Sequence, residues 1–141
     1  MAVKILFVCT GNSARSQMAE GFAKAYGQGL IEAESAGLEP KGLHPLAVQV
    51  MGEIGIDISS QTSKALDKRM VEGADYVITL CGDAAERCPV FPSHVTVLHW
   101  PFEDPARIGG PEEPVVEKFR EVRDQIQGRV RAFIEAVLQP S

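Results

Sequence analysis

Apolar residues alternate between short runs and helical stripes along the chain. The runs predict four strands, over residues 3–8, 31–36, 74–80 and 95–100. Spacings of three or four between apolar positions predict the helices. The first predicted helix covers residues 15–26, and the second starts at Pro45. A short third helix is capped by Thr62 and Ser63 and reaches about Val71. A fourth lies between the last two strands, and the fifth is the C-terminal helix.

The C-terminal helix carries the longest apolar stripe, with successive steps of 3, 3, 4, 4, 3 and 4 residues. Its members are Val116, Phe119, Val122, Ile126, Val130, Phe133 and Val137. Strands that alternate with helices indicate an α/β fold with a mostly parallel sheet covered on both faces. We expect three layers, a four-stranded sheet in the order 2-1-3-4, and a single domain over residues 1–141.

The composition restricts the classes of function. Of the 141 residues, 45% are apolar and 23% charged, which is typical of a globular domain, and the net charge is −5. A net acidic surface argues against nucleic acid or an anionic membrane as the main partner, although an anionic substrate needs only a local positive site. The longest apolar run, residues 5–9, is far too short to span a bilayer, and we expect a cytoplasmic protein.

Three cysteines, Cys9, Cys81 and Cys88, are the next distinctive feature. An odd number in an expected cytoplasmic protein argues against a disulfide framework. Three inert buried thiols are one interpretation. Zinc is disfavoured because no C-x2-C pair exists. Cys9 and Cys81 each come at the end of a predicted strand, and Asp104 follows the last one. In the expected sheet these three residues gather at one edge.

Cys9 begins a C-x5-R-S loop between the first strand and the first helix. Successive backbone N–H groups and a helix N-terminus bind a tetrahedral oxyanion, and a planar Arg15 fork can hold two of its oxygens. The same positive field favours the thiolate form of Cys9. We expect Gly11 to permit the tight curl, Asn12 to bond its own backbone, and Ser13 or Ser16 to donate to the sulfur. The predicted substrate-binding residues are Thr10, Gly11, Asn12, Ser13, Ala14, Arg15 and Ser16.

These motifs resemble the thioredoxin-coupled arsenate reductases built on the low-molecular-weight protein tyrosine phosphatase fold. The resemblance runs nearly end to end. It includes 9–13, 15–21, 35–37, 56–59, 79–81, His99-Trp100, Phe102 and 104–106. Many members of that family have a second Cys at the position of Ala14, but that thiol is not one of the three redox cysteines.

The resemblance implies a cysteine relay with no cofactor. Cys9 attacks arsenate, Cys81 attacks Cys9 to release arsenite, Cys88 attacks Cys81, and thioredoxin reduces the resulting disulfide. Asp104 corresponds to the mobile general acid of the phosphatases, and a weak phosphatase activity is expected. The phosphatases place aromatic residues after this Asp-Pro, whereas Ala106 and Arg107 follow here, which favours a small inorganic substrate.

Two other functions stay open at this stage. One is a tyrosine or small-molecule phosphatase with incidental cysteines, and the other is a protein that binds As(III) through three thiols. A monomer is the default expectation, and no metal site is predicted. Some relatives hold potassium through residues matching Asn12, Glu20 and Ser35 and an acidic residue. Lys64 stands at the acidic position, and two interpretations stay open. Either its ammonium lies near Glu20 and replaces the cation, or Lys64 is an exposed residue at the start of the short helix.

Overall fold

The computed structural model describes residues 2–81, 90–107, 110 and 112–138. Within these ranges four strands and four α-helices follow one another. They are β1 (Val3–Cys9), α1 (Arg15–Gly27), β2 (Ile31–Gly37), α2 (Pro45–Gly52), α3 (Lys68–Gly73), β3 (Tyr76–Cys81), β4 (Val97–Phe102) and α4 (Glu112–Leu138). A single turn of 3-10 helix, Pro105–Arg107, follows β4. No helix in the described ranges is long and apolar enough to cross a membrane.

The four strands form one parallel sheet in the order β2-β1-β3-β4, which confirms the predicted architecture. Cys9, the last residue of β1, pairs with Gly37 of β2, and Cys81, the last residue of β3, pairs with Phe102 of β4. All four strands point the same way, so their carboxyl ends meet at one edge. The fold therefore brings the two cysteines and the residues after β4 to the same side of the molecule.

The central strand β1 separates two apolar layers because its successive side chains point to opposite faces. Ile5 and Phe7 lie in the larger core with residues of α1, α2 and α4, including Phe22 and Phe119. Leu6 and Val8 lie in the smaller core, against Met70 and Val71 of α3. The strand is thus buried on both faces, as the continuous apolar run predicts.

Helix α4 buries the predicted stripe against the sheet and α1. Val116, Phe119, Val122, Ile126 and Val130 are buried, and Phe133 and Val137 pack at the margin of the core. Phe133 also makes T-shaped ring contacts with Tyr76 and Trp100, at 5.1 and 5.3 Å between centroids. The stripe therefore holds both the first helix and the β3–β4 side of the sheet.

Two details of the predicted elements are wrong. Helix α3 begins at Lys68, and its N-cap is Asp67, whose carboxylate accepts a hydrogen bond of 2.8 Å from Met70 N. Thr62 and Ser63 cap no helix, because residues 62–66 run extended beside the end of β2. Backbone bonds from Gly37 N to Lys64 O (3.0 Å) and from Leu66 N to Gly37 O (2.9 Å) hold them there.

Strand β4 ends at Phe102, two residues later than predicted, and includes Pro101. Proline is tolerated there because β4 is an edge strand and one side of its backbone needs no partner. The predicted helix between the last two strands falls outside the described residues.

Candidate active site

The loop from Cys9 to Ser16, the cysteine loop, has its backbone carbonyls bonded to surrounding segments. Thr10 O accepts from Glu39 N, Gly11 O from Lys41 N and Ser13 O from His44 N, at 2.9 to 3.0 Å. The amide of Gln17 donates to Asn12 O, and Met18 N donates to Ala14 O within α1. A carbonyl engaged outside the loop does not present its negative dipole to an anion inside it. This backbone arrangement suits an oxyanion.

The cysteine loop needs a glycine on the neighbouring strand. A Cβ on Gly37 would lie 2.7 Å from Thr10 O and 2.8 Å from Asn12 N. Real Cβ atoms do not approach backbone atoms so closely, so any larger residue at position 37 would displace the loop. The Ser35-Ala36-Gly37 block of the sequence thus has a direct structural reason.

The sharp bend of the loop is at Asn12, not at Gly11 as predicted. Asn12 has φ 46°, in the left-handed region, which asparagine tolerates better than most residues. Its side chain bonds Ser16 and the backbone N–H of Lys64, and the prediction that it bonds its own backbone is wrong. Asn12 is fully buried, and these long-range bonds offset the strain of its backbone.

A chain of hydrogen bonds runs from the backbone to the Cys9 sulfur. Lys64 N donates to Asn12 Oδ1 at 2.9 Å, which fixes the amide so that Asn12 Nδ2 faces Ser16 Oγ at 2.8 Å. Ser16 Oγ lies 2.9 Å from Cys9 Sγ and, as it already accepts from Asn12, can donate its own hydrogen to a thiolate. Of the two serines considered from the sequence, Ser16 is therefore the one on the sulfur.

Arg15 begins α1, as predicted, and is 3% exposed. Its Nη1 donates to Leu80 O (3.3 Å) and to Phe102 O (3.1 Å), while its Nη2 lies 3.7 Å from a carboxylate oxygen of Asp104. The guanidinium thus joins the cysteine loop to the ends of β3 and β4. An arginine in this position brings a fixed positive charge to the carboxyl edge of the sheet.

Asp104 lies two residues beyond β4 in the segment 103–107, the acid loop. Its Oδ1 accepts a bond of 3.0 Å from Ala106 N, and its side chain is 26% exposed. Cys9, Arg15 and Asp104 line one cavity of about 640 Å³ with Lys41, His44 and Arg107. The structure therefore brings together the predicted nucleophile, the predicted anion ligand and the predicted acid.

The cavity has two further features, and only the first could be expected from the sequence. Among its described lining residues there is no Phe, Tyr or Trp, so this part of the wall offers no ring for an aryl group to stack on. It also includes His44, whose pKa is lowered by burial, with the Asp104 carboxylate partly opposing that shift. His44-Pro45 gave a signal for a helix start, but nothing in the sequence indicated that the ring would reach the cavity.

The other two cysteines of the proposed site are Cys81 and Cys88. Cys81 is a buried cysteine at the end of β3, next to Leu80, whose carbonyl accepts from Arg15. Cys88 lies outside the described residues. Gln17 is a structural residue that the sequence analysis missed, since its Nε2 bonds Asn12 and Thr62 O and so joins the loop to residues 62–64.

The interpretation of Lys64 as the cation beside Glu20 is wrong. Glu20 is buried, accepts from Ser35 Oγ at 2.6 Å, and pairs with Lys24 Nζ at 2.5 Å. Lys64 Nζ instead donates to Thr62 O at 3.3 Å. The i,i+4 spacing on α1 places Lys24 beside Glu20, so Lys24 is the cation paired with this carboxylate. Within the described ranges no group of three His, Cys, Asp or Glu side chains could hold a metal ion.

Known proteins share this arrangement over nearly the whole chain. The model of the low molecular weight phosphotyrosine protein phosphatase family matches residues 4–140. An arsenate reductase from Bacillus subtilis (strain 168) is 53% identical over 131 residues, which cover 93% of this chain and 94% of that protein.

Solved structures give the same result. One described as an arsenate reductase in the phosphate binding state has a TM-score of 0.77 and 39% identity, over 96% of this chain and 98% of that one. A Corynebacterium glutamicum thioredoxin-dependent arsenate reductase has a TM-score of 0.75 and 30% identity, over 96% of this chain and 62% of that one. The resemblance inferred from the sequence motifs is confirmed: this chain belongs to the low molecular weight phosphotyrosine protein phosphatase family, and its relatives include arsenate reductases.

Proposed function

We propose that this protein reduces arsenate to arsenite through Cys9, Cys81 and Cys88, with electrons from thioredoxin. The observation that carries the proposal is the position of two buried cysteines, Cys9 and Cys81, at the carboxyl ends of neighbouring strands. A phosphatase needs only Cys9, whereas a reductase needs a second thiol within reach of the first. The relay also requires reduced cysteines, so a cytoplasmic setting is part of the proposal.

In the first step the Cys9 thiolate attacks the arsenic atom of arsenate. Arg15 and the N–H groups of the cysteine loop hold the remaining oxygens, and Ser16 stabilises the thiolate before the attack. One oxygen leaves as water after it is protonated, and Asp104 is the acid at the same cavity. The product is a thiol ester between Cys9 and As(V).

The second and third steps move two electrons. The Cys81 thiolate attacks Cys9 Sγ, the sulfur–arsenic bond breaks, and its electron pair stays on arsenic, which leaves as arsenite. The Cys88 thiolate then attacks Cys81, and Cys9 is released as a thiolate. A dithiol such as thioredoxin reduces the Cys81–Cys88 disulfide and is itself oxidised. The part of Cys88 rests on the family resemblance, and the Corynebacterium glutamicum relative supports the choice of reductant.

A phosphatase is the alternative function. The family and the acid loop favour it, because a thiolate, an arginine and an aspartic acid are also what phosphoryl transfer to cysteine requires. The absence of Phe, Tyr and Trp from the described lining of the cavity weighs against a phosphotyrosine substrate. We therefore expect phosphatase activity only as a weak side reaction against an activated ester such as p-nitrophenyl phosphate.

One coupled assay separates the candidate functions. Purified protein, thioredoxin, thioredoxin reductase and NADPH are mixed, and NADPH oxidation is followed with and without arsenate. Oxidation that depends on both arsenate and thioredoxin supports the reductase. Hydrolysis of p-nitrophenyl phosphate without arsenate-dependent oxidation would assign a phosphatase. Neither activity, together with tight binding of arsenite, would assign an As(III)-binding protein.

Cysteine variants test the order of the relay. Cys9→Ser removes the nucleophile and is expected to abolish both arsenate reduction and p-nitrophenyl phosphate hydrolysis. Cys81→Ser and Cys88→Ser are expected to stop turnover with thioredoxin while phosphatase activity stays. The retained phosphatase activity then shows that each variant is folded. A Cys88→Ser protein that turns over arsenate with thioredoxin at the parental rate would contradict the proposed order.

A further inference from the structure

His44 is tied to the cysteine loop, to α2 and to the active-site cavity at the same time. Its backbone N–H donates to Ser13 O at 3.0 Å, and its carbonyl accepts from the first turn of α2. Its ring lies 4.8 Å from that of Phe119, between centroids, and forms part of the cavity wall.

The hydrogen bonding of the ring defines its protonation state. Leu46 N donates to His44 Nδ1 at 3.1 Å, so the side chain is the N-cap of α2. A ring nitrogen that accepts a backbone N–H carries no proton. The ring in this structure is therefore neutral, with its proton on Nε2. Burial favours this neutral form, since it lowers the pKa of His44 from its ordinary value of 6.5.

The surroundings of the ring are charged on one side only. The charged or titratable side chains that share the cavity wall with it are Cys9, Arg15, Glu39, Lys41, Asp104 and Arg107. Helix α2 has no charged side chain, and α4 meets the ring with Phe119. The neighbouring Lys118 is paired with Glu103 and Glu121, and Arg120 with Glu53 and Glu117.

We propose that His44 is a further oxyanion-binding residue of this cavity, and that protonation of its ring exchanges the cap of α2 for a positive charge beside the bound anion. A protonated ring cannot accept from Leu46 N, so the cap is lost as the charge appears. Two quantities should then move in opposite directions as the pH falls below about 6.5. Anion affinity should rise, and the stability of the empty protein should fall.

The sign of the stability change follows from the direction of the pKa shift. The pKa of His44 is lower in the folded protein than in the unfolded chain, so the unfolded chain binds more protons just below about pH 6.5. The stabilisation is complete above that pH and is lost as the pH falls through the folded-state pKa. Anion binding opposes the loss, because it favours the protonated ring.

Sulfate is a suitable probe because it is tetrahedral and keeps its double negative charge from about pH 5.5 to about pH 8. Its dissociation constant is measured by calorimetry at both pH values for the parent, His44→Asn and His99→Asn. Asparagine keeps an N-cap acceptor but does not titrate. His99 bonds Thr79 at 2.7 Å and does not line the cavity, so His99→Asn controls for the loss of any histidine.

We expect sulfate affinity to increase on acidification about fivefold more in the parent and in His99→Asn than in His44→Asn, as for a partly buried ion pair. As the pH decreases below about 6.5, the melting temperature without sulfate should decrease in the parent and should decrease less in His44→Asn. His44→Ala, which also removes the cap, should melt below His44→Asn at about pH 8. The NMR signal of His44 is identified as the histidine signal that disappears in His44→Asn. In the parent, sulfate should raise the pKa measured from that signal.

Equal pH dependence of sulfate affinity in the parent and His44→Asn would overturn the inference, as would a parent that binds no sulfate at either pH. The inference rests on the proposed function, since it takes the cavity to be the oxyanion site. The two remain distinguishable. Arsenate-dependent NADPH oxidation by the parent, with equal sulfate profiles, would remove only the role of His44. Absence of that oxidation, whatever the sulfate result, would remove the reductase.

Discussion

The cysteine loop and the acid loop end two strands at the same edge of one sheet, but they are held in different ways. Bonds from distant segments hold the cysteine loop, including those from Glu39, Lys41 and His44 to its carbonyls. The bonds of Asp104 are mostly local. Its Oδ1 accepts from Ala106 N and its carbonyl from Arg107 N, and a 3.7 Å ion pair with Arg15 is the long-range contact.

The difference matches the task proposed for each loop. An anion site works when its donors are in place before the anion arrives, since no energy is then spent on rearranging them. A general acid has to reach the leaving oxygen of a bound substrate. The acid loop is tied to distant segments by two side-chain ion pairs, Asp104–Arg15 and Glu103–Lys118, which break and re-form more easily than a set of backbone hydrogen bonds. Variants in the two loops should therefore fail differently, through proton transfer in one and through anion geometry or stability in the other.

The largest effect is expected from Asp104→Asn in the acid loop. Loss of a general acid costs about a hundredfold or more in rate, so p-nitrophenyl phosphate turnover at neutral pH should fall by about that factor. Its dependence on pH should weaken, while the melting temperature should change little. Turnover of phenyl phosphate, whose phenolate is a poorer leaving group, should decrease more than turnover of p-nitrophenyl phosphate. An unchanged pH–rate profile would remove Asp104 from the acid role.

Gly37→Ala should destabilise the cysteine loop, because position 37 on β2 lies directly against it. The added methyl would lie within 3 Å of Thr10 O and Asn12 N, and overpacking of this kind costs about 2 kcal/mol of unfolding free energy. Gly52→Ala is the matched control, because nothing lies within 4 Å of its Cβ position in α2 and alanine favours a helix. Denaturant unfolding of both variants checks the prediction. Equal stability of the two would mean that the loop adapts to a side chain at position 37.

Arg15→Lys should reduce activity although the charge is kept. An ammonium cannot bond two oxygens in a planar fork, and we expect kcat/KM for arsenate to fall at least about tenfold, or about 1.4 kcal/mol. Steady-state kinetics of arsenate reduction provide the measurement. If the two proteins have equal kinetics, Arg15 does not bind the substrate through its fork.

The smallest effect is expected from Ser16→Ala at the end of the hydrogen-bond chain to Cys9. The variant should react about fivefold more slowly with iodoacetamide near neutral pH, because one hydrogen bond to the thiolate contributes about 1 kcal/mol. A background of Cys81→Ser and Cys88→Ser leaves Cys9 as the single thiol. Ser13→Ala is the control, since Ser16 is the serine on the sulfur. Equal slowing in both serine variants would contradict this assignment.

The elements that depend on residues near in sequence were predicted well. The stripe of α4 and the apolar runs of the strands gave the elements and the layers, because period and burial are local properties of the pattern. The sheet order came from the general rules for crossovers in parallel sheets. Cys9, Arg15 and Asp104 were placed at one cavity because the carboxyl ends of parallel strands meet at one edge.

The errors come from bonds between distant residues. Thr62 and Ser63 have the chemistry of a helix cap, but the pairing of Gly37 with Lys64 and Leu66 draws this segment into an extended course. Asn12 takes the left-handed turn that Gly11 was expected to take, because Lys64 N and Ser16 anchor its amide. The spacing of residues along the sequence does not predict contacts between residues that are about fifty positions apart.

Arg15 has one further consequence for how this site can change. The same nitrogen donates to Leu80 O and Phe102 O, and so fastens the ends of β3 and β4 where Cys81 and the acid loop begin. The residue proposed to bind the anion is thus also a structural tie across three segments of the molecule. Position 15 is therefore poorly suited to adjusting substrate preference during evolution. We expect changes in preference to be better tolerated at Lys41, whose side chain lines the same cavity from outside the cysteine loop.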